Sequence, residues 1–472
     1  MRNWNQLFIR HGWLLVQKAN GVFDCTKETS ENVEFLFQSL EKANIHYKYD
    51  LGKLSLCTKP MVEEDWIKVL DFEYRGRGEG LWFRPGAEQP KVAELDTYIS
   101  GIVRQLNRLG FYTMGSCDGH DKRLAHVMVT MDCDQQSLKE LLHSLVGRNV
   151  QWQERRNHAH LSFRLERLQL LDLAERLSLI DEAWVKKGSD FINEQNFRET
   201  LYELLMIPGV SGEEELVRDC VIEKLTPFVD HITVDHAGNI LAEKTYNHGN
   251  GPTILLNAHL DTVYEIEADR EIIKEENLWY SSTGILGADD RAGVTVLLHL
   301  AEHLSHNRAF SGKVKFIFTV EEEQGLIGAS QVDKHFLWGT DAAIVVDRRG
   351  DGDIVTSCGG HIPFCDSRYG LFFEEVAASA DLKGWAVTKG GSSDTRIWAS
   401  HGIQSVNLSA GYNNEHTSQE ILDVEACYNT AKLLKAVFTK GRDLKRLLRQ
   451  IKQEENIVIM SRKKFAYQRW SS

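Results

Sequence analysis

The second half of the chain alternates short, largely apolar runs with longer stretches of helical periodicity. Thr253–Leu256, Val314–Val320, Ala342–Val346 and Ser405–Leu408 are too short for helices and are bounded by polar or glycine-rich turns. Each is predicted to be a buried strand. His231–Asp235 reads as a further strand, followed by the turn Ala237-Gly-Asn239 and another strand. Val294–Leu304 and Leu422–Phe438 carry apolar residues at helical spacing, and Phe197–Leu205 reads as a helix leading into Ile207-Pro-Gly-Val-Ser-Gly-Glu213. Ser211 is placed to cap a second helix through Leu225, with Glu213–Glu215 in its favourable first turn. The alternation predicts an α/β fold, a doubly wound mixed sheet with helices on both faces.

Residues 1–190 carry a different pattern. Short β-like runs alternate with helical stretches at Glu31–Ala43 and Leu95–Leu109, and no repeat is evident. This predicts a separate α+β domain of unknown function, closed or linked onward by a helix-like Leu161–Val185. Its most unusual stretch is Thr113-Met-Gly-Ser-Cys-Asp-Gly-His120. Cys117 and His120, with His126, His158 and His160, offer the atoms of a metal or thiol site. A turn of small residues around a core cysteine accounts for the same letters, and the paired Cys spacing of a structural zinc site is absent. From Lys440 to Arg469 ten Lys/Arg stand against three Asp/Glu, so 441–472 is expected to be a basic, solvated C-terminal helix and tail.

Composition narrows the class. At 472 residues the chain exceeds the usual single core, and 42% hydrophobic with 26% charged residues is ordinary for a soluble globular protein. A net charge of −13 argues against a nucleic-acid partner. The absence of a long apolar run argues against a membrane span. Eight scattered cysteines and an N-terminus without signal-peptide character point to reduced thiols in the cytoplasm.

The chemistry gathers at the ends of the predicted strands, where open α/β sheets place their sites. His259 and Asp261 follow the first apolar run and point to the same side of an extended chain. Asp289-Asp290 comes next, then Glu321-Glu-Glu323 after one strand, Asp347 after another, and finally His416. Clustered carboxylates at a sheet edge repel one another without a cation. Mixed nitrogen and oxygen donors suit zinc, with manganese or cobalt as substitutes. Five ligands exceed one tetrahedral ion with an open position and suit two ions sharing a carboxylate.

The unit from Leu201 onward resembles the co-catalytic dizinc exopeptidases, the superfamily of peptidase T, aminoacylase, glutamate carboxypeptidase and the deblocking aminopeptidases. The matching letters are Ile-Pro-Gly-Val-Ser-Gly-Glu213, Val-Asp-x-x-Gly-Asn239, His259-Leu-Asp-Thr, Gly-Ala-Asp289-Asp-Arg-Ala-Gly, Glu322-Glu323-Gln-Gly-Leu-x-Gly-Ala, Val-Val-Asp347 and His416-Thr. Gly-Gly-Ser-Ser-Asp394 and the later Gly-Ile-Gln-Ser-Val406 are also similar. The resemblance implies a catalytic domain over 191–440 with two zinc ions per chain, bridged by Asp289. His259 and Asp347 would complete one ion's shell, and Glu323 and His416 the other's. Glu322 would be the general base, Asp261 would orient His259, and the Asp289–Asp290 peptide would be cis.

Two departures bear on substrate. The aminoacylase and carboxypeptidase branch inserts a large lid between the fourth and fifth ligands, but here only 69 residues separate Asp347 from His416 (416 − 347). The deblocking aminopeptidases insert a domain after His-x-Asp, where this chain has 30 residues (289 − 259). The expected activity is therefore that of an aminopeptidase or dipeptidase acting on small peptides, rather than a carboxypeptidase. Hydrolysis of N-acyl amino acids is the alternative, and a non-catalytic binding protein on the same fold is a second. No membrane or nucleic-acid partner is expected, and a homo-oligomer is compatible with the resemblance.

Overall fold

In the computed structural model, which describes residues 2–72, 75–76, 90–306 and 309–470, the chain divides into two compact units, Met1–Asn196 and Phe197–Ser472. Ser471 and Ser472, the end of the expected basic tail, lie outside the described residues.

The first unit holds two four-stranded antiparallel sheets. One is built from β1 (Val16–Ala19), β2 (Val22–Asp24), β3 (Tyr47–Asp50) and β4 (Lys53–Leu56), in the order β1-β2-β4-β3. The other uses β5 (Thr113–Cys117), β6 (Ala125–Thr130), β7 (Val150–Glu154) and β8 (His158–Phe163), in the order β5-β6-β8-β7. Helices α1 (Trp4–Arg10), α2 (Ser30–Lys42) and α3 (Glu63–Leu70) precede, divide and follow the first four strands. Helices α4 (Ser100–Arg108), α5 (Gln135–Val146) and α6 (Arg167–Ser178) do the same for the second four.

The same arrangement therefore occurs twice. Arg10-His-Gly12-Trp13 leads into the first sheet and Arg108-Leu-Gly110-Phe111 into the second. The first hairpin turns at Asn20-Gly21 in one and at Asp118-Gly119 in the other. Each half has its own apolar core, one centred on Phe8, Trp13, Phe23 and Trp66, the other on Ile102, Leu141, Leu161 and Phe163. The repeat escaped the sequence pattern because the halves share turn residues and few core letters. The helix expected over Leu161–Val185 is corrected at its start: Ala159, Leu161 and Phe163 point inward at period two, as β8.

The second unit is built on β9 (His231–Val234), β10 (Ile240–Tyr246), β11 (Thr253–His259), β12 (Ile272–Glu275), β13 (Leu278–Ser281), β14 (Gly312–Thr319), β15 (Ala342–Arg348), β16 (Asp353–Cys358), β17 (Ile362–Pro363), β18 (Ala386–Gly390), β19 (Gln404–Ser409), β20 (Tyr412–Asn413) and β21 (Ile421–Asp423). The main sheet runs β17-β16-β19-β15-β11-β14-β10-β9, with β18 beside β16. Its centre, β19-β15-β11-β14, is parallel, and the outer strands are mixed. β12, β13, β21 and β20 form a small separate sheet.

The continuous apolar runs follow from this sheet being covered on both faces. Ile254, Leu256, Phe316, Phe318, Ile344 and Val346 pack into a core with the helices Ala288–His306 and Val424–Thr439. Their neighbours Leu255, Ile317, Ala343 and Val345 face a second core with Ala329, Leu337 and Trp398.

Two sequence expectations change here. The helix after Ser211 begins at Glu215, and Ser211 does not cap it; its hydroxyl donates to Asp261 Oδ2 at 2.7 Å. The C-terminal helix, Gly441–Trp470, is not simply solvated, because Leu444, Leu448 and Ile451 are buried in the large core of the second unit. No described helix is long and apolar enough to cross a membrane.

Candidate metal centre

Parallel strands bring their C-terminal ends to one edge, and the polar residues that follow them are thereby collected. His259 ends β11, Glu322 and Glu323 follow β14, Asp347 lies near the end of β15, and His416 follows β19 and β20. Asp289 arrives at the N-terminus of the helix Ala288–His306, and the Asp289–Asp290 peptide is cis.

Asp289 lies between the two histidines. Its Oδ1 is 3.0 Å from His259 Nε2, and its Oδ2 is 3.2 Å from His416 Nε2. On the His259 side Asp347 Oδ1 stands 3.6 Å from the same Nε2. On the His416 side Glu323 Oε1 stands 2.8 Å from its Nε2. The five residues expected as ligands thus form two groups that share one carboxylate. Glu322 faces the same cleft, a cavity of about 510 Å³ whose wall also carries Arg348, Arg349 and Lys389.

Asp261 ties the two sides together from behind. Its Oδ1 lies 3.2 Å from His259 Nδ1 and accepts the Glu322 N–H at 3.0 Å. Its Oδ2 accepts the Glu323 N–H at 3.0 Å and the Ser211 hydroxyl. Asp261 therefore fixes the imidazole through its backbone carbonyl, 3.1 Å from Nδ1, and its fully buried carboxylate, leaving Nε2 towards the cleft, and the carboxylate also positions the backbone of the acidic run. Burial opposes its ionisation, but the contacts with His259, Ser211 and Glu322 outweigh burial and hold its pKa at about 2.

Further supports were not legible as such in the sequence. Glu420, buried, accepts the N–H groups of Gly287 and Asp289 and so holds the loop entering the shared carboxylate. Asp290 accepts the His259 N–H and caps the helix through Gly293. The Tyr412 hydroxyl donates to Asp347 Oδ1 at 3.0 Å, and Asn407 brackets the Asp347 backbone. Asp394 accepts from Thr319, while its Oδ1 is buried with no hydrogen-bond partner. Asp290, in Gly-Ala-Asp-Asp, and Asp394, at the end of a recognisable Gly-Gly-Ser-Ser run, carried a signal. Glu420 lies in a loop and Asn407 and Tyr412 on short strands with no distinctive letters. Glu321 and His416 have positive φ, 49° and 64°. The surrounding bonds hold these non-glycine residues in the left-handed region.

The electrostatics are those of a cation site. Burial pushes Glu322 up to about 10 despite the pull of His259, with repulsion from Asp347, Asp394 and Glu323 adding to it. Burial also raises Glu323 to about 7. Hydrogen bonding to Asp289 raises His416 to about 9. His259, Asp289 and Glu323 offer donor atoms within 4.8 Å of one another, as do His259, Asp290 and Asp347. Crowded nitrogen and carboxylate oxygen donors, mostly buried, fit a divalent ion of the zinc class.

Residues 239–438 match the model of peptidase family M28. That stretch lies within the second unit and includes His259, Asp289, Glu322, Glu323, Asp347 and His416. Among curated relatives, the uncharacterised protein YqjE of Bacillus subtilis is 29% identical over 31% of this chain and 41% of its own length. Peptidase T of Halothermothrix orenii is 31% identical over 25% of this chain and 30% of its own. The matches thus span well under half of these relatives. The crystal structure of the aminopeptidase PepT from Bacillus cereus aligns with 53% of this chain and 99% of that one, at 18% identity and a TM-score of 0.48.

Proposed function

We propose that the protein is a metal-dependent exopeptidase that removes residues from small peptides, an aminopeptidase or dipeptidase rather than a carboxypeptidase. The observation that carries this reading is the Asp289 carboxylate set between His259 and His416, with Glu322 beside it. His259, Asp289 and Asp347 would hold one zinc ion, and Asp289, Glu323 and His416 a second. Bound there, the ions would acidify a water and polarise the scissile carbonyl.

The chain's own residues do the rest. Glu322 has no ligand role in this assignment, so its carboxylate is left to take the proton from the attacking water. The same carboxyl then delivers that proton to the leaving amine. Asp261 keeps His259 in the tautomer that presents Nε2 and holds the Glu322 backbone at a set distance from it. Arg348, Arg349 and Lys389 give the cleft wall positive charge suited to peptide carbonyls or a nearby carboxylate. The short 347–416 and 259–289 segments leave no room for the lid or inserted domain of the larger relatives, which favours short peptides over folded substrates. A homo-oligomer belongs to the same proposal and is read by light scattering.

Glu322→Gln separates base from ligand. It keeps the side chain's size and should lose turnover by about three orders of magnitude or more with metal content unchanged. Glu323→Gln should lose metal instead. Full activity of Glu322→Gln on a panel of aminoacyl and dipeptide substrates, or the absence of transition metal from active protein, would overturn the proposal.

A further inference from the structure

The repeated halves of the first unit differ at one hairpin. Where the first half turns through Ala19-Asn20-Gly21, the second turns through Cys117-Asp118-Gly119-His120. Asp96, just before α4, comes up beside this turn, and its Oδ2 accepts the Asp118 N–H at 3.1 Å. Asp96 is 4% exposed, and its Oδ1 is buried with no hydrogen-bond partner. Asp96, Cys117, Asp118 and His120 each place a donor atom within 4.8 Å of the others.

The contacts around this cluster sort its members. Arg167 donates to both oxygens of Asp118, at 3.1 and 2.9 Å. Asp118 Oδ1 lies 3.3 Å from His120 Nδ1. Arg167 Nη2 also lies 3.3 Å from the same Nδ1, so that side of the ring is occupied and Nε2 is the nitrogen turned towards Asp96. That Nε2 is 3.7 Å from the unpartnered Asp96 Oδ1, too far for a hydrogen bond. It is close to the ~3.4 Å edge of a tetrahedron around an ion with ~2.1 Å bonds. Cys117 Sγ receives the Gly119 N–H at 3.4 Å and Arg123 Nη2 at 3.2 Å. Charge points the same way: Asp71, Asp96, Asp118 and Asp121 face Arg75, Arg123 and Arg167, four against three. His126 and His160 stand apart, stacked on each other at 4.9 Å.

We infer that the first unit binds a divalent cation of the zinc class through Asp96, Cys117 and His120, with Asp118 as the carboxylate behind the histidine. Three protein donors leave a coordination position open, so the site is suited to an exchangeable or reactive ion rather than a closed structural one. This assignment is independent of the exopeptidase reading of the second unit.

The donor chemistry supplies the test. The second-unit ligands are nitrogen and oxygen only, so sulfur-to-metal charge transfer in the cobalt(II)-loaded full-length chain reports the first-unit site alone. The wild type should show this near-ultraviolet band, and Asp289→Asn and Cys358→Ser should retain it. Cys117→Ser should lose it and carry about one ion fewer per chain on zinc analysis. His120→Gln, at a half-exposed position that should tolerate change, should weaken cobalt binding by about tenfold or more as read from the band. The absence of the band, its persistence in Cys117→Ser, or equal zinc content in all variants would overturn the site. Alkylation of Cys117 at the same rate with and without zinc would also overturn it, pointing instead to a bare nucleophilic thiol.

Discussion

Asp261→Asn tests whether one carboxylate organises the metal centre. The carboxylate takes three hydrogen-bond donors, the Glu322 N–H on Oδ1 and the Glu323 N–H and Ser211 hydroxyl on Oδ2, and its Oδ1 lies 3.2 Å from His259 Nδ1, which also faces the Asp261 carbonyl at 3.1 Å. An asparagine keeps one oxygen and turns an amide NH₂ towards the other pair. Leaving two buried donors unpaired costs about 1–3 kcal/mol each. The pKa gives a second route: a carboxyl lowered from 3.8 to about 2 in the metal-free protein contributes about 2–3 kcal/mol at pH 7. A depressed folded-state pKa makes that contribution complete above about pH 4 and lost as pH falls through about 2. Both routes put the loss at about 3 kcal/mol at pH 7, shrinking at lower pH.

Urea unfolding of metal-free full-length protein, read by hydrogen exchange in peptides covering 253–263 and 319–325, isolates the second unit. In the loaded protein the same substitution should weaken zinc about 10–100-fold, because the His259 ring loses the charge behind it and keeps only the Asp261 carbonyl. Wild-type exchange protection together with wild-type zinc affinity would refute the organising role.

Metal binding should release protons. Without metal, Glu323 at about 7 is largely protonated at pH 6 and largely ionised at pH 8, while His416 at about 9 and Glu322 at about 10 stay protonated at both, so calorimetry in buffers of different ionisation enthalpy should show release of several protons, about one more at pH 6 than at pH 8. All three folded-state values are raised, so the metal-free second unit should lose stability between pH 6 and 8; a gain over that range would contradict the repulsive cluster. Gly293→Ala should cost about 3 kcal/mol or more, because an added Cβ would lie 1.9 Å from Val346 O and 2.5 Å from Asp290 Oδ1; a thermal shift under one degree would show that the helix can move aside. Leu444→Ala should cost about 2–4 kcal/mol in the second unit's unfolding, since Leu444 is fully buried in its core, whereas a merely solvated tail would give no change.

The chemistry of the second unit was open to reading because its residues follow apolar runs whose own periodicity marks them as strands. His259, Asp289, Asp347 and His416 could be singled out since paired histidines and carboxylates at strand ends are costly without a purpose. β16, β18 and the small β12-β13-β21-β20 sheet were not anticipated, for their strands are short, partly polar and paired with partners remote in sequence. Ser211 looked like a helix cap because local rules weigh only neighbours, and its actual partner lies 50 residues away. Glu420 and Tyr412 carried no signal for the same reason. They act on Asp289 and Asp347 only after β20 and β21 have folded back beside them.

By itself the sequence determined the class of the second unit's sheet, the edge at which its polar residues would gather and the donor types present there. These depend on period-two and period-3.6 patterning and on side-chain chemistry, which are properties of short stretches. Only the tertiary structure decided that Asp289 stands between two histidines, that Asp261 braces both sides, and that the first unit repeats one arrangement around unlike hairpins. It alone brought Asp96 to Cys117 and His120. Each of these is a contact between segments distant along the chain, set by how strands pair and which face of each helix is buried, and such contacts leave no mark on either segment alone.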